Sequence, residues 1–298
     1  MTALTGGNSG RGGNGSRRDA ARRNLVLRIA SAAVLAPIVL GAAYLGGWCF
    51  LVLCLLAAGG ILWEWTRLVT GRSDPRVLAL GCIALLAATA AVGSGSAGAA
   101  AAAIVIGAGI IFIAEIVAPA RLVRQAPAAW SAAGLLYAGA ALLGSALLRR
   151  DNEFGWSAFL FLAATVWMTD ICAYAVGRSV GGPLLWPQVS PNKTWSGAVG
   201  GLAGGVAGGT AVAYASGSGK LGLVGAVALV LSALVQGGDL LESAVKRHFG
   251  AKDASGLIPG HGGLMDRLDG FLVAALAALV IGIVRHGTDA AAHGLLVW

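Results

Sequence analysis

Charge is what this sequence has least of. Only 11% of its 298 residues are Asp, Glu, Lys or Arg, against about 25% in an ordinary soluble domain. So few charges cannot cover a soluble surface, and a water-soluble globular fold is excluded. Histidine and cysteine are scarce too, four of each. Cys49, Cys54, Cys82 and Cys172 form no C-x-x-C pair, which argues against a zinc site. All four lie in apolar runs and read as small core residues. Acids are outnumbered, 13 to 21 bases, for a net charge of +8. That surplus sits in the N-terminal tail and short loops, as expected of a membrane protein whose Lys and Arg gather on cytoplasmic loops and near anionic headgroups. No nucleic-acid partner is expected.

What the chain has in abundance is apolar surface, 57% of residues. Apolar runs long enough to cross a bilayer recur along it. Hydropathy places spans at 25–45, 48–66, 77–93, 99–118, 130–148, 155–176, 195–215, 220–237 and 268–286. The expected fold is all-α, a polytopic membrane protein of about nine helices. Trp48, Trp63, Trp65, Trp130, Trp156 and Trp195 fall near proposed ends, where aromatic anchors belong. Three regions follow: a disordered basic tail over 1–24, a transmembrane scaffold over 25–150, and a catalytic transmembrane region over 151–298. The first apolar run is too long for a signal peptide and reads as a retained span. With the N-terminus in the cytoplasm, 17 of the 21 Lys and Arg fall on that side; Arg149, Arg150, Lys220 and Arg285 fall on the other.

Glycine is plentiful, 47 residues, and from Ser196 to Gly209 it falls in register. Small residues at 196, 200, 204 and 208, and again at 197, 201, 205 and 209, make two adjacent stripes on one helix. Such stripes let helix backbones approach closely. A flexible linker is the alternative, disfavoured by the interleaved Val, Leu and Ala. On this reading Gly204→Leu is disruptive and Gly204→Ala much milder, because Ala still permits close approach.

The one long polar segment, Gly237–Gly270, lies between apolar flanks. If it is helical after Gly238, Asp239, Ser243 and Lys246 fall on one face with Glu242 beside them. Asp266 and Asp269 stand three apart at the start of another helix, with Gly270 leaving room for a ligand. Pro259-Gly260-His261-Gly262-Gly263 is a turn whose amides can approach an anion. The run SAVKRHFGAKDASGLIPGHGGLMDRLDG, with Ser243, Lys246-Arg247, Lys252-Asp253, the Pro259–Gly263 turn and Asp266-Arg267-x-Asp269, resembles the signature of bacterial phosphatidate cytidylyltransferases. Upstream, Asp170, Tyr174, Gly177 and Arg178 match that family's D-x-x-x-Y-x-x-G-R run. Ser190-Pro191-Asn192-Lys193-Thr194 matches its S-P-x-K-T element. The family often has Glu where this chain has Ser196 and Ser where it has Gly270. The resemblance is strong over roughly 165–270; the rest matches only as generic spans.

The resemblance implies a metal-dependent nucleotidyltransferase. CMP would pass from CTP to phosphatidic acid, giving CDP-diacylglycerol and pyrophosphate in phospholipid biosynthesis. It also implies a two-cation centre on Asp239 and Asp266, with Mg2+ as cofactor and the second cation, K+ for example, left open. Position supports Asp239 independently: it lies at a span's C-terminal side, where the helix dipole favours a base. Asp266 can also be explained as a helix-start carboxylate. Lys246, Arg247, Lys252 and Arg267 are candidates to grip phosphates, or some are positive-inside anchors. Asp253, counted with Asp239, Asp266 and Lys246 as catalytic, is with Asp269 either a support for the metal ligands or a salt-bridge partner. Glu242 is a metal neighbour or solvated. His261 is read as a turn residue that hydrogen-bonds locally or contacts phosphate, in preference to a proton carrier. Ser190, Asn192, Lys193 and Thr194 lead into a helix, and its free amides with Lys193 make an anion site. Ser243 completes the substrate-binding set. Asp170 is assigned to substrate or structural support, and Glu64 is paired or solvated.

The expected setting is the bacterial cytoplasmic membrane, with the site facing the cytoplasm and a homodimer contact left open for the N-terminal half. The competing class is an ion-coupled transporter relaying through Asp170, Asp239 and Asp266. Its sites should lie at the bilayer midplane, whereas these acids cluster on one side. CDP-alcohol phosphotransferases are disfavoured because their D-G-x-x-A-R run is missing.

Overall fold

The structure, a computed structural model, describes residue 31 and residues 33–117, 127–258 and 262–298. The tail expected over 1–24 lies outside these residues. The chain is an all-α, multi-pass membrane protein. Its helices are α1 (Ala33–Leu45), α2 (Gly47–Thr70), α3 (Pro75–Gly93), α4 (Ala97–Val117), α5 (Ala128–Arg150), α6 (Gly155–Val180), α7 (Trp195–Ala215), α8 (Leu221–His248), α9 (Met265–His286) and the short α10 (Ala291–Leu296). Among the described residues, α2 to α9 are each long and apolar enough to cross a membrane. They answer to the second through ninth expected spans; the first is described only in part, by α1.

The outer surface is apolar, as lipid contact requires. On α4, Val105, Ile106, Ile113 and Val117 are all exposed. The interior holds small residues and a continuous buried apolar cluster that runs from Ala43 to Leu296, so both halves of the chain share one core. Two expectations fail here. Trp65 is buried and donates from Nε1 to the Trp130 carbonyl at 2.8 Å, so it is a core residue and not an interfacial anchor. Cys49 and Cys82 are exposed on the apolar surface, while Cys54 is buried as expected.

The most extensive helix pair is α6 with α7, and the glycine stripes are its cause. A Cβ at Gly204 would lie 2.4 Å from Cys172 Sγ and 2.7 Å from the Met168 carbonyl oxygen of α6. The expectation that Ala at 204 still permits the close approach fails, because even one methyl group meets the α6 backbone. Gly205 makes room for a buried hydroxyl pair, Thr169 of α6 and Ser232 of α8, 2.7 Å apart. Such a bond between membrane helices contributes about 0.6 kcal/mol on average.

Helix ends follow local rules. Asp74 caps α3, accepting from Arg76 N at 2.9 Å, with Pro75 at the first helical position. Thr194 caps α7 by accepting from Gly197 N at 3.1 Å. The segment before it, expected as a loop, is an antiparallel hairpin: β1 (Leu184–Trp186) pairs with β2 (Ser190–Thr194). Pro191 is tolerated there because each strand has a free edge. The hairpin closes through a bond from Trp195 N to the Pro183 carbonyl, 3.0 Å. Ser196, in the first turn of α7, donates to the Gly181 carbonyl and ties the start of α7 to the end of α6.

The C-terminal ends of α2, α6 and α8 gather with the N-terminal ends of α7 and α9. At the opposite end Arg149 donates to the Tyr44 carbonyl at 3.0 Å, Arg150 pairs with Asp289 at 3.6 Å, and Ser218 bonds the Leu296 carbonyl.

Candidate active site

The charged segment and the apolar span before it are one helix. Because α8 runs unbroken from Leu221 to His248, every backbone group stays bonded while the helix leaves the apolar layer. Its polar face then forms as the spacing dictates. Ser243 Oγ lies 3.4 Å from Asp239 Oδ1, and Lys246 Nζ lies 3.2 Å from Glu242 Oε2. Gly238 on α8 faces Gly270 on α9: a Cβ at 238 would come within 3.1 Å of Gly270 Cα, and one at 270 within 2.7 Å of the Val235 carbonyl. The expectation that Gly270 leaves room for a ligand is thereby corrected, since the helix crossing fills that space.

Beside this crossing lies a cavity of about 780 Å³, within the range of sites for nucleotide-sized ligands. Asp170, Tyr174 and Arg178 of α6, Asn192, Lys193 and Thr194 of the hairpin, Gln236, Asp239 and Lys246 of α8, and Asp266, Arg267 and Asp269 of α9 line it. Arg178 donates to the Tyr174 hydroxyl at 2.8 Å. Gln236 donates to the Ala198 carbonyl at 3.2 Å, fixing α8 against α7.

Two lysines meet two aspartates across helix boundaries. Lys193 Nζ is 2.5 Å from Asp239 Oδ2, and Lys246 Nζ is 2.5 Å from Asp266 Oδ1. Asp266 also accepts from Ala254 N at 3.0 Å and Gly263 N at 2.8 Å. Gly262 has φ +85°, a left-handed turn that a side chain would strain. A Cβ at Gly263 would lie 3.0 Å from Asp266 Oδ2 and 2.8 Å from Glu64 Oε1.

The donor set suits a hard cation. Carboxylate oxygens of Asp239, Glu242 and Asp269 lie within 4.8 Å of one another, and the buried Glu242 Oε1 faces these acids with no N–H donor beside it. Converging carboxylates with a buried oxygen among them fit a hard divalent ion such as Mg2+.

Residues 26–284 match the model of the cytidylyltransferase family. The chain belongs to this family. It is a nucleotidyltransferase. The cytidylyltransferase is 42% identical over 275 residues to a phosphatidate cytidylyltransferase of Brucella suis biovar 1 (strain 1330), covering 89% of this chain and 96% of that one. A phosphatidate cytidylyltransferase of Brucella melitensis is 41% identical over the same shares. One from Staphylococcus saprophyticus is 39% identical over 146 residues, 49% of this chain and 55% of its own.

Of the residues expected at the site, the cytidylyltransferase brings Asp239, Asp266, Lys246, Asn192, Lys193, Thr194 and Arg267 to the cavity wall. Ser243 touches Asp239 from behind, and Arg247 is spent on the Ala251 carbonyl at 3.0 Å. Ser190 sits at the far end of β2, paired with Trp186. Lys252 and Asp253 are exposed on the connection between α8 and α9 and are not part of the wall. His261, with Pro259 and Gly260, lies outside the described residues.

Glu64, expected to be paired or solvated, is paired, and its partners are ones that sequence reasoning did not identify. Its side chain, on α2, is fully buried. It accepts from Ser255 Oγ at 2.5 Å, Leu264 N at 2.8 Å and Met265 N at 2.6 Å. The available signal was an acid within the apolar run Leu62-Trp63-Glu64-Trp65, since an intramembrane carboxylate is functional by default.

Proposed function

We propose that this cytidylyltransferase transfers CMP from CTP to phosphatidic acid, releasing pyrophosphate and leaving CDP-diacylglycerol in the membrane. The observation that carries the reading is the pair of lysine–aspartate contacts, Lys193–Asp239 and Lys246–Asp266, on the wall of one cavity at the end of a lipid-soluble bundle. Lysines grip phosphate and carboxylates hold the cations that accompany it; this site has both, interleaved. The names of the relatives support the same substrates.

Asp239 and Asp266 would hold the cations, Mg2+ among them, with Glu242 and Asp269 completing the acidic surface beside Asp239. A bound cation supplies charge neutralisation on the phosphate oxygens and a better leaving pyrophosphate. The other parts belong to the chain. Lys193 and Lys246 serve as counter-charges to the aspartates and lie within reach of phosphate oxygens. The capped N-terminus of α7 lies at the same wall, with Thr194, Gly197 and Ala198 lining it, and its helix dipole favours an anion. Arg267 and Arg178 line the remaining wall.

A phosphate oxygen of the lipid attacks the α-phosphorus of CTP and forms the new P–O bond. The bond to the bridging oxygen of the β-phosphate breaks, and its electron pair leaves with pyrophosphate. The lipid phosphate is already an anion, so no general base is needed. Positioning and charge stabilisation carry the step.

The enclosing membrane is the bacterial cytoplasmic membrane, with the site on the cytoplasmic face where CTP is found. A transporter is disfavoured because the acids gather toward one end of the bundle, Asp170 and Asp239 in the second halves of α6 and α8 and Asp266 and Asp269 at the start of α9, whereas transporter sites lie near the midplane. The test is incubation of purified protein with radiolabelled CTP, phosphatidate and Mg2+, reading label in the lipid extract. Label that stays in the aqueous phase overturns the proposal.

A further inference from the structure

Glu64 and Asp266 hold neighbouring donors on the same loop. Glu64 takes Ser255 Oγ, Leu264 N and Met265 N. Asp266 takes Ala254 N and Gly263 N, each one residue away from a group that Glu64 holds. Gly263 is wedged between the two carboxylates, and a bond from Ile258 N to the Gly262 carbonyl, 2.8 Å, closes the loop. Two carboxylates from opposite halves of the chain thus grip both limbs of one loop. The Asp266 carboxylate then receives Lys246.

A buried carboxylate is costly unless donors surround it. The three uncharged donors meet that need here, and the N-terminus of α9 adds its favourable dipole. An amide would not serve as well. Glutamine has one acceptor oxygen for three donors, and its NH2 would face an N–H.

We propose that Glu64 is a positioning residue of the transfer reaction. By fixing Ser255 and the first amides of α9 it sets the loop that orients Asp266, and through Asp266 the ammonium group of Lys246. This rests on the cytidylyl-transfer reading above. Glu64 touches no reacting atom; its effect is on where Asp266 and Lys246 stand. A displacement of about 1 Å at a reacting centre costs roughly a hundredfold in rate.

The experiment compares wild type, Glu64→Gln and Ser255→Ala in detergent, with activity expressed per folded molecule. Wild type without lipid-extractable product defeats the transfer reading, not this one. With wild type active, Glu64→Gln should lower kcat by on the order of ten- to a hundredfold, with KM for phosphatidate unchanged. Ser255→Ala, which removes one donor of three, should lower kcat several-fold in the same way. The fall in kcat per folded molecule at unchanged KM is the readout that a purely structural role would not move, and hydrogen exchange shows whether the change reaches Asp266. In Glu64→Gln the amides of Ala254 and Gly263, bonded to Asp266, should lose protection along with those of Leu264 and Met265. Loss confined to Leu264 and Met265, or kcat per folded molecule within twofold of wild type, overturns the proposal. If Glu64→Gln does not fold, Ser255→Ala decides alone, and an unchanged kcat there overturns it.

Discussion

Lys193, in β2 just before α7, meets Asp239 of α8 at 2.5 Å and so joins the hairpin to the acidic face of the site. Ser243 touches the same carboxylate only at 3.4 Å, a weak bond. The two contacts predict unequal effects. On the proposed transfer reaction, in which Lys193 serves the phosphate, Lys193→Ala should lower kcat by on the order of a hundredfold. Ser243→Ala should stay within about threefold, because a bond of that length contributes little. Steady-state kinetics on both variants checks this; a large loss at Ser243 would mean that its hydroxyl reaches substrate.

Asp239→Asn and Asp266→Asn are each expected to drop turnover below about a tenth of wild type, a barrier rise of at least about 1.4 kcal/mol. Both should remain folded and membrane-inserted. Glu242→Gln separates the two parts of the acidic surface. It replaces a buried carboxylate that lies against Asp239 and Asp269, so the Mg2+ concentration for half-maximal activity should rise. Titrating Mg2+ against activity measures this, and an unchanged midpoint would place Glu242 outside the cation's influence. A chelator should abolish wild-type activity, and added Mg2+ should restore it.

Much of this site was legible because it is local. Asp239, Glu242, Ser243 and Lys246 are one helical face, and their spacing alone places them together. The apolar runs likewise gave α2 to α9, because a span must bond its backbone internally and so must be helical. What was not legible depends on distant chain. Glu64 meets donors some two hundred positions away, and no local pattern encodes that partner. The hairpin escaped notice because its strands are short, polar and interrupted by Pro191, held by a closing bond from Trp195 to Pro183. Gly270 was read as space for a ligand when the space belongs to Gly238 and Val235. A glycine in a sequence reports room, not its occupant.

The sidedness of the site gives a further expectation. Asn192 lies on the hairpin at the cavity, and Asn152 lies in the turn between α5 and α6 at the opposite end. In a background with Cys49, Cys54, Cys82 and Cys172 replaced, a single cysteine at 152 should react with a membrane-impermeant thiol reagent on intact cells. One at 192 should react only after the membrane is opened. The reverse pattern would put the cavity on the side without CTP.

Glycine packing offers the sharpest contrast between two substitutions of the same kind. Gly204 on α7 and Gly222 on α8 are both helical, and replacing either with Ala improves intrinsic helix propensity by about 1 kcal/mol. Their surroundings differ. A Cβ at 222 meets nothing within 4 Å, whereas one at 204 meets Cys172 Sγ at 2.4 Å, Cys172 Cβ at 2.5 Å and the Met168 carbonyl oxygen at 2.7 Å. Cys172 can change rotamer, but the Met168 carbonyl belongs to the α6 backbone and moves only if the helix does. Gly204→Ala should therefore push α7 from α6. Overpacking of this kind costs about 1–3 kcal/mol, enough to outweigh the propensity gain. Because Thr194 and Lys193 precede the first turn of α7, the displacement should reach the Lys193–Asp239 contact and lower kcat on the order of tenfold or more. Gly222→Ala should leave activity unchanged and thermal stability equal or higher. Melting curves and kcat for both, at matched amounts of folded protein, decide the matter. A Gly204→Ala variant that melts and turns over like wild type would show that α6 and α7 yield to a methyl group, and that the close approach does not set the site.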